Sequence, residues 1–170
     1  MKKIAVVGPE CSGKTTLTEA LMLHHRMWMV SEVAREYLPN LRRPYTEADL
    51  VDIAREQAMN EEMIGAEFNG AMVCDTDMIT IRIWSEEKYG RCDPWIIKQT
   101  EERHYDLWLL CKPDIPWKAD PLRENPHDRD RLFDVYESLL KWLEKPYVII
   151  SGSRSHRLKE AVKAIGEHTG

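Results

Sequence analysis

The chain has 170 residues, 43% of them hydrophobic and 31% charged, with a net charge of −5 at neutral pH. That balance is ordinary for a globular protein and excludes a disordered or fibrous chain. It also argues against a basic face that would hold a nucleic acid, and no apolar run approaches the roughly 20 residues needed to cross a bilayer. MKKIAVVGPE turns polar too early for a signal peptide, so a cytosolic setting is expected. Cys11, Cys74, Cys92 and Cys111 lie far apart with no CxxC pair, which argues against a zinc site or a disulfide framework. The length fits one domain over residues 1–170.

In chain order, five short apolar runs alternate with longer periodic segments, the pattern of an α/β fold. The runs are Lys3 to Val7, Trp28 to Glu32, Ala71 to Asp75, Asp106 to Lys112 and Tyr147 to Ser151. IAVV, LWLL and YVII are continuously apolar, so they predict parallel strands covered on both faces. The first helix is expected over TLTEALML, with His24 and His25 complementing its dipole. A second starts at Thr46, where Asp49 completes a capping box and Tyr45 and Leu50 form a hydrophobic staple. Leu50, Ile53, Ala54, Ala58 and Ile64 give it one buried stripe. Helices are also expected from about Asp128 to Leu143 and from Arg154 to Glu167. Pro113, Pro116, Pro121 and Pro126 rule out a regular element between Pro113 and Arg131, which is read as a mobile lid loop. Trp108 is expected in the core, and packing accounts for Trp28, Trp84, Trp95 and Trp142.

GPECSGKT, residues 8–15, matches GxxxxGK[ST] between a strand and a helix. Gly8 and Gly13 permit the turns that aim backbone N–H groups at phosphate, and the helix N-terminus adds its dipole. Gly8, Glu10, Cys11, Ser12, Gly13, Lys14, Thr15 and Thr16 are therefore assigned to a nucleoside triphosphate, with Lys14 on the β- and γ-phosphates and the Thr15 hydroxyl on Mg²⁺. Cys11 stands at a helix N-terminus, so some oxidant sensitivity is expected. Asp75, closing the third strand, is the second metal residue; its plainer role is a strand-end turn. Asp77 would face the same side if the strand continued, placing it by substrate or water.

A guanine-specific switch would carry DxxG and Asn-Lys-x-Asp, but DTDM lacks the glycine and CKPD offers only Lys112 and Asp114. A small-molecule kinase needs a carboxylate near the acceptor hydroxyl and cations over the transferring group. Glu32 is the candidate base, though it serves equally well as a helix-entry residue paired with Arg35, which is itself assigned to the substrate side. Arg123, Arg129 and Arg131 could close over the phosphates, or form a solvated charge run. Ser153 and Arg154, after the fifth strand, are assigned to adenine, and Trp117 could stack on a flat ring.

With GPECSGKTTL, SEVAREYL, CDTDMITI and YDLWLLCKPDIPWKADPLRENPHDRDR on the page, the chain resembles the ribosylnicotinamide kinase domain of NadR-type proteins and related small P-loop ATPase/kinase sequences over nearly its whole length. The resemblance implies a P-loop NTPase fold: three α/β/α layers, a central parallel five-stranded sheet and a Pro/Arg-rich lid at about 113–131. It implies phosphorylation of the 5′-hydroxyl of nicotinamide riboside by ATP with Mg²⁺. Lys14 and Thr15 would serve ATP and metal, Asp75 the metal, Glu32 and Asp77 the ribose, Arg123 to Arg131 the lid, and Trp117 the pyridine or base. Cys11 departs from the serine often seen in this loop. No adenylyltransferase segment precedes the loop, so a stand-alone kinase that does not itself make the dinucleotide is expected. Another nucleoside or a nucleoside monophosphate as acceptor, or a regulatory ATPase without an acceptor, stay open, as does a homo-oligomer.

Overall fold

A computed structural model of the chain describes residues 1–119 and 127–169. The five apolar runs become strands β1 (Lys2–Val7), β2 (Trp28–Val30), β3 (Ala71–Asp75), β4 (Leu107–Cys111) and β5 (Tyr147–Ile150). They form one all-parallel sheet in the order β2-β3-β1-β4-β5. The connection from β1 runs to β2 on one side of the sheet and that from β3 runs to β4 on the other. Adjacent strands whose connections leave in opposite directions open a crevice at their carboxyl ends, where α/β sheets take ligands.

Seven helices are described: α1 (Lys14–His25), α2 (Ala34–Asn40), α3 (Glu47–Glu67), α4 (Met78–Tyr89), α5 (Pro94–Glu102), α6 (Arg129–Trp142) and α7 (Arg154–Thr169). Because strand side chains alternate between faces, Ile4, Val6, Val73, Leu107 and Leu109 pack under Leu17 and Leu21 of α1 and Ala161 and Ala164 of α7. Ala5, Val7, Met72, Cys74, Trp108 and Leu110 point the other way, against Ile79 and Ile83 of α4 and Leu132, Phe133, Tyr136 and Leu140 of α6. Ile4 to Val7 are wholly inaccessible, and burial of each valine or isoleucine stabilises by about 1.5–3 kcal/mol. An outer apolar layer joins α2, α3, α4 and α5 through Ala34, Leu50, Ile53, Met78, Ile81 and Ile96.

The start of α3 is built as its sequence implies. The Thr46 amide donates to Asp49 Oδ2 at 2.7 Å, and the Thr46 hydroxyl makes a second 2.7 Å bond to the same oxygen. Arg43 adds a two-pronged pair at 2.7 and 2.8 Å, and these donors hold the Asp49 carboxyl well below the usual range. Lower on α3, buried Glu61 meets Lys3 at 2.5 Å, Arg103 at 3.3 Å and the Tyr105 hydroxyl at 2.9 Å, joining the helix to the sheet.

Three departures from the sequence reading have local causes. Helices α2, α4 and α5 were not anticipated. Pro113–Arg131 is not all loop, because α6 takes over at Arg129. Trp142 and Trp28 are 67% and 41% exposed rather than packed away: Trp142 closes α6 on its outer side under Arg82, and Trp28 stacks on Phe68 with ring centres 3.7 Å apart.

Candidate active site

The phosphate loop sits where β1 ends. Gly8 has φ 138°, and a Cβ there would lie 2.6 Å from the Cys111 carbonyl oxygen, so glycine alone fits. Cys11 (φ 52°) and Gly13 (φ 82°) are left-handed. Such turns direct successive N–H groups into one concavity, and the unpaired amides of the first turn of α1 extend it. Lys14 Nζ donates to Gly8 O and Pro9 O, both at 2.9 Å, so the ammonium is held across the loop.

Thr15 Oγ1 donates to Asp75 Oδ2 at 2.7 Å. Asp75 is 1% exposed, and its other oxygen, Oδ1, is buried without a partner among the described residues. Burial pushes this carboxyl up to about 6; the Thr15 hydrogen bond opposes the shift and the Glu32 charge adds to it. A hydroxyl beside a carboxylate with an unspent oxygen fits a hard cation. No cluster of three or more His, Cys, Asp or Glu stands ready for a metal among the described residues. The Thr15–Asp75 pair is a donor set that would suit Mg²⁺, which keeps waters and takes phosphate oxygens as further ligands.

Glu32 lies two residues beyond β2 on the same sheet edge. Its side chain is 16% exposed and meets Arg35 Nε at 3.3 Å, the contact of a helix-entry residue. It lines a groove of about 290 Å³ with Glu36, Glu56, Glu67, Met29 and Met63, and among the described residues no lysine or arginine lines it.

Asp77 is a correction. The strand does not continue past Asp75, because Thr76 turns to φ 73°. Asp77 instead caps α4: Oδ1 accepts from Ile79 N (3.0 Å) and Thr80 N (3.2 Å), and Oδ2 from Trp108 Nε1 (2.7 Å). Burial pushes its carboxyl up to about 6. With three donors and 1% exposure, its carboxylate is committed to the helix cap and the Trp108 indole rather than turned toward a substrate.

The lid arginines separate. Arg129 Nη1 donates to Cys11 O at 3.2 Å and Ile115 O at 3.0 Å, and its guanidinium lies 5.6 Å from the Trp117 ring centre. Trp117 thus packs beside the phosphate loop against an arginine. Arg131 is the second correction: it pairs with Glu87 and Asp128, each at 2.5 Å, on the α4 side. Two residues on a helix are about 200° apart around its axis, so Arg129 and Arg131 cannot face one ligand. Arg123 lies outside the described residues. The lid base rests on Cys11, whose Sγ accepts from Lys118 N at 3.2 Å and approaches Pro116 O at 3.5 Å.

Past the loop, Gly13, Thr16, Leu17, Ile115, Arg154 and Arg157 line a small, largely apolar slot of about 90 Å³. Arg154, assigned from the sequence to the adenine, is one of these lining residues. Ser153 does not face the slot: its Oγ lies 3.3 Å from Ser155 Oγ and accepts from His156 N at 3.4 Å in the first turn of α7. Arg157 was missed. It is 4% exposed and donates to Ser12 O, Lys112 O and Gly152 O, each at 2.8 Å, and to Asp114 Oδ1. Its only sequence signal was an arginine one turn into a helix that starts at the ligand edge.

Among the described residues no helix is long and apolar enough to cross a membrane. A NadR protein of Salmonella typhimurium, described as a trifunctional NAD biosynthesis/regulator protein, is 26% identical over 146 residues, which make up 82% of this chain and 35% of that protein. Its Escherichia coli counterpart is 26% identical over 137 residues, covering 77% of this chain and 33% of its own length. The chain thus spans about a third of the curated relatives it matches. A crystal structure of NadR protein in complex with NR superposes with a TM-score of 0.84 at 24% identity, over 99% of this chain and 52% of that one. Deoxyadenosine kinase from M. mycoides does so at 0.68 and 12% identity, over 97% and 99%. These likenesses agree with the three-layer P-loop fold and the NadR-type resemblance. A family model described as an AAA domain matches residues 3–157, and the chain belongs to that family, AAA_28.

Proposed function

We propose that this chain is a cytosolic kinase domain that transfers the γ-phosphoryl group of ATP to the 5′-hydroxyl of nicotinamide riboside, giving nicotinamide mononucleotide. The observation that carries it is the 2.7 Å Thr15–Asp75 pair at the mouth of a finished phosphate loop, with Glu32 on the neighbouring strand end. The loop amides and Lys14 bind the β- and γ-phosphates, and Thr15 and Asp75 hold Mg²⁺. The metal supplies charge neutralisation and orientation of the triphosphate. Glu32 takes the proton from the acceptor hydroxyl as its oxygen bonds to the γ-phosphorus and the bridge to the β-phosphate breaks, leaving ADP; the proton then passes to solvent. Arg129 faces the loop, so its guanidinium is the one that follows the charge on the transferring group. Most of the rate comes from such positioning and charge compensation.

The acceptor is inferred from charge. Nicotinamide riboside carries a cationic pyridinium, and the groove reached from Glu32 has four glutamates in its lining, of which Glu32 is met by Arg35, with no lysine or arginine among the described lining residues. A nucleoside monophosphate, as a dianion, would be repelled there. The chain's similarity to NadR, solved with NR, supports the same choice. The test is incubation with Mg-ATP and nicotinamide riboside, common nucleosides or monophosphates, with Lys14→Ala as blank. Nicotinamide riboside is expected to give the largest product signal. If no acceptor is phosphorylated above the blank, the kinase reading fails; if another nucleoside dominates, only the acceptor assignment does.

A further inference from the structure

Where β4 ends, Asp114 points into the seam between the base of the lid and the β5–α7 turn. Its Oδ2 accepts from Gly152 N at 2.7 Å and its Oδ1 is taken by Arg157. The next residue, Ile115, lines the slot beyond Gly13 and Thr16, as does Arg157 itself. A triphosphate seated on the loop amides would carry its nucleoside end past this first turn of α1, and the slot is the concavity there that a purine edge would enter. Guanine differs from adenine there by presenting N1–H and a 2-amino group, two donors that need acceptors. A carboxylate beside the slot is the group that would take both, and among the described residues no carboxylate lines the slot itself.

We infer that Arg157 sets the nucleobase choice by masking Asp114: the guanidinium, which lines the slot, covers the carboxylate, which does not, so guanine's extra donors meet a cation in place of an acceptor and adenine is the base accepted. The inference rests on the reading that a nucleoside triphosphate occupies the phosphate loop. Arg157 is 4% exposed and its other donors hold the Ser12, Lys112 and Gly152 carbonyls, so the mask is locked by three backbone segments. A site that leaves a ligand's donors unsatisfied rejects that ligand far more strongly than one that merely fits it less well.

Arg157 is a positioning residue, so loss of nucleotide affinity alone would not distinguish masking from support of the loop. The ratio of ATP to GTP affinity does. It is measured by displacing a fluorescent ATP analogue in Mg²⁺ without acceptor, so that the outcome does not depend on what is phosphorylated. The wild type should favour ATP by at least about tenfold. Arg157→Gln should lower that ratio about tenfold by uncovering Asp114, and adding Asp114→Ala should restore it. Arg157→Lys keeps a cation beside Asp114 but cannot reach all four acceptors, so both affinities should fall with the ratio kept. Asp114→Asn alone should leave the ratio within about threefold, which holds the test open if Arg157→Gln does not fold. A selective loss of GTP in Asp114→Asn, an unchanged ratio in folded Arg157→Gln, or a wild type indifferent to the base would each overturn the inference. Binding of neither nucleotide would overturn the kinase reading as well.

Discussion

Replacing Asp75 with Asn should make the protein more stable and less able to hold its nucleotide. In the folded chain the carboxyl is raised from 3.8 to about 6, chiefly by burial. That difference corresponds to about 3 kcal/mol against the ion. Asparagine keeps an acceptor for the Thr15 hydroxyl and removes the charge; its amide hydrogens find no evident partner, which offsets part of the gain and leaves about 1–2 kcal/mol. At about 2–4 °C per kcal/mol for a chain of this size, the melting temperature should rise by about 2–8 °C. The sign follows from proton linkage. A raised folded pKa means that the native state binds the extra proton between about pH 4 and 6, so the wild type loses stability as pH rises through that window and the variant does not. The gain should therefore be present at pH 8 and nearly absent at pH 4. Thermal unfolding of both proteins in EDTA at the two pH values reads it, Asp77 and the other carboxyls cancelling in the comparison. Added Mg-ATP should then stabilise the wild type and leave the variant almost unmoved. A variant less stable at pH 8, or a gain of equal size at pH 4, would refute the assignment of Asp75 as a charge buried for the metal.

Glu32→Gln should lower kcat by about 10²–10⁴ with ATP affinity kept, the mark of a base acting on the acceptor; an equal loss in ATP binding would move Glu32 to the nucleotide side. Arg131→Ala should leave kcat within about twofold, whereas Arg129→Ala should lower it by tenfold or more, in keeping with charge-stabilising groups elsewhere; steady-state rates with the same acceptor decide, and equal losses would reverse the division of the lid arginines. Thr46→Ala should lower stability by about 1 kcal/mol in urea unfolding through loss of the α3 cap, with no change in nucleotide affinity.

The strands were legible because each is a short apolar run bounded by polar residues, and β3 was found to the residue. Their order was not, since IAVV says nothing of whether AMVCD or LWLL lies beside it. The loop motif placed Lys14 and Thr15 through local spacing alone. Helices α4 and α5 had readable punctuation that went unused: Asp77 before α4, Gly90 (φ 68°) after it, and Asp93 with Pro94 opening α5. Asp77 was misread by assuming that alternation outlasts the strand, although an Asp two residues past a strand and one before a helical run is also a good cap. Arg131 failed because charge content carries no direction around a helix. Arg157 was out of reach of any local pattern, since it answers to three carbonyls and a carboxylate from other parts of the chain, among them Ser12 O, 145 residues away.

The close approach of Gly8 to Cys111 has a kinetic corollary. With 2.6 Å between a hypothetical Cβ and that carbonyl, the anion cradle is pressed onto the central strands and inherits their rigidity. A visiting triphosphate meets a mould that is already cast; the local rearrangement it needs there is transfer of the Lys14 ammonium from two peptide oxygens to its own. Capture at the loop should accordingly run near the encounter rate, and how long the nucleotide stays should be decided by the segments that fold over it.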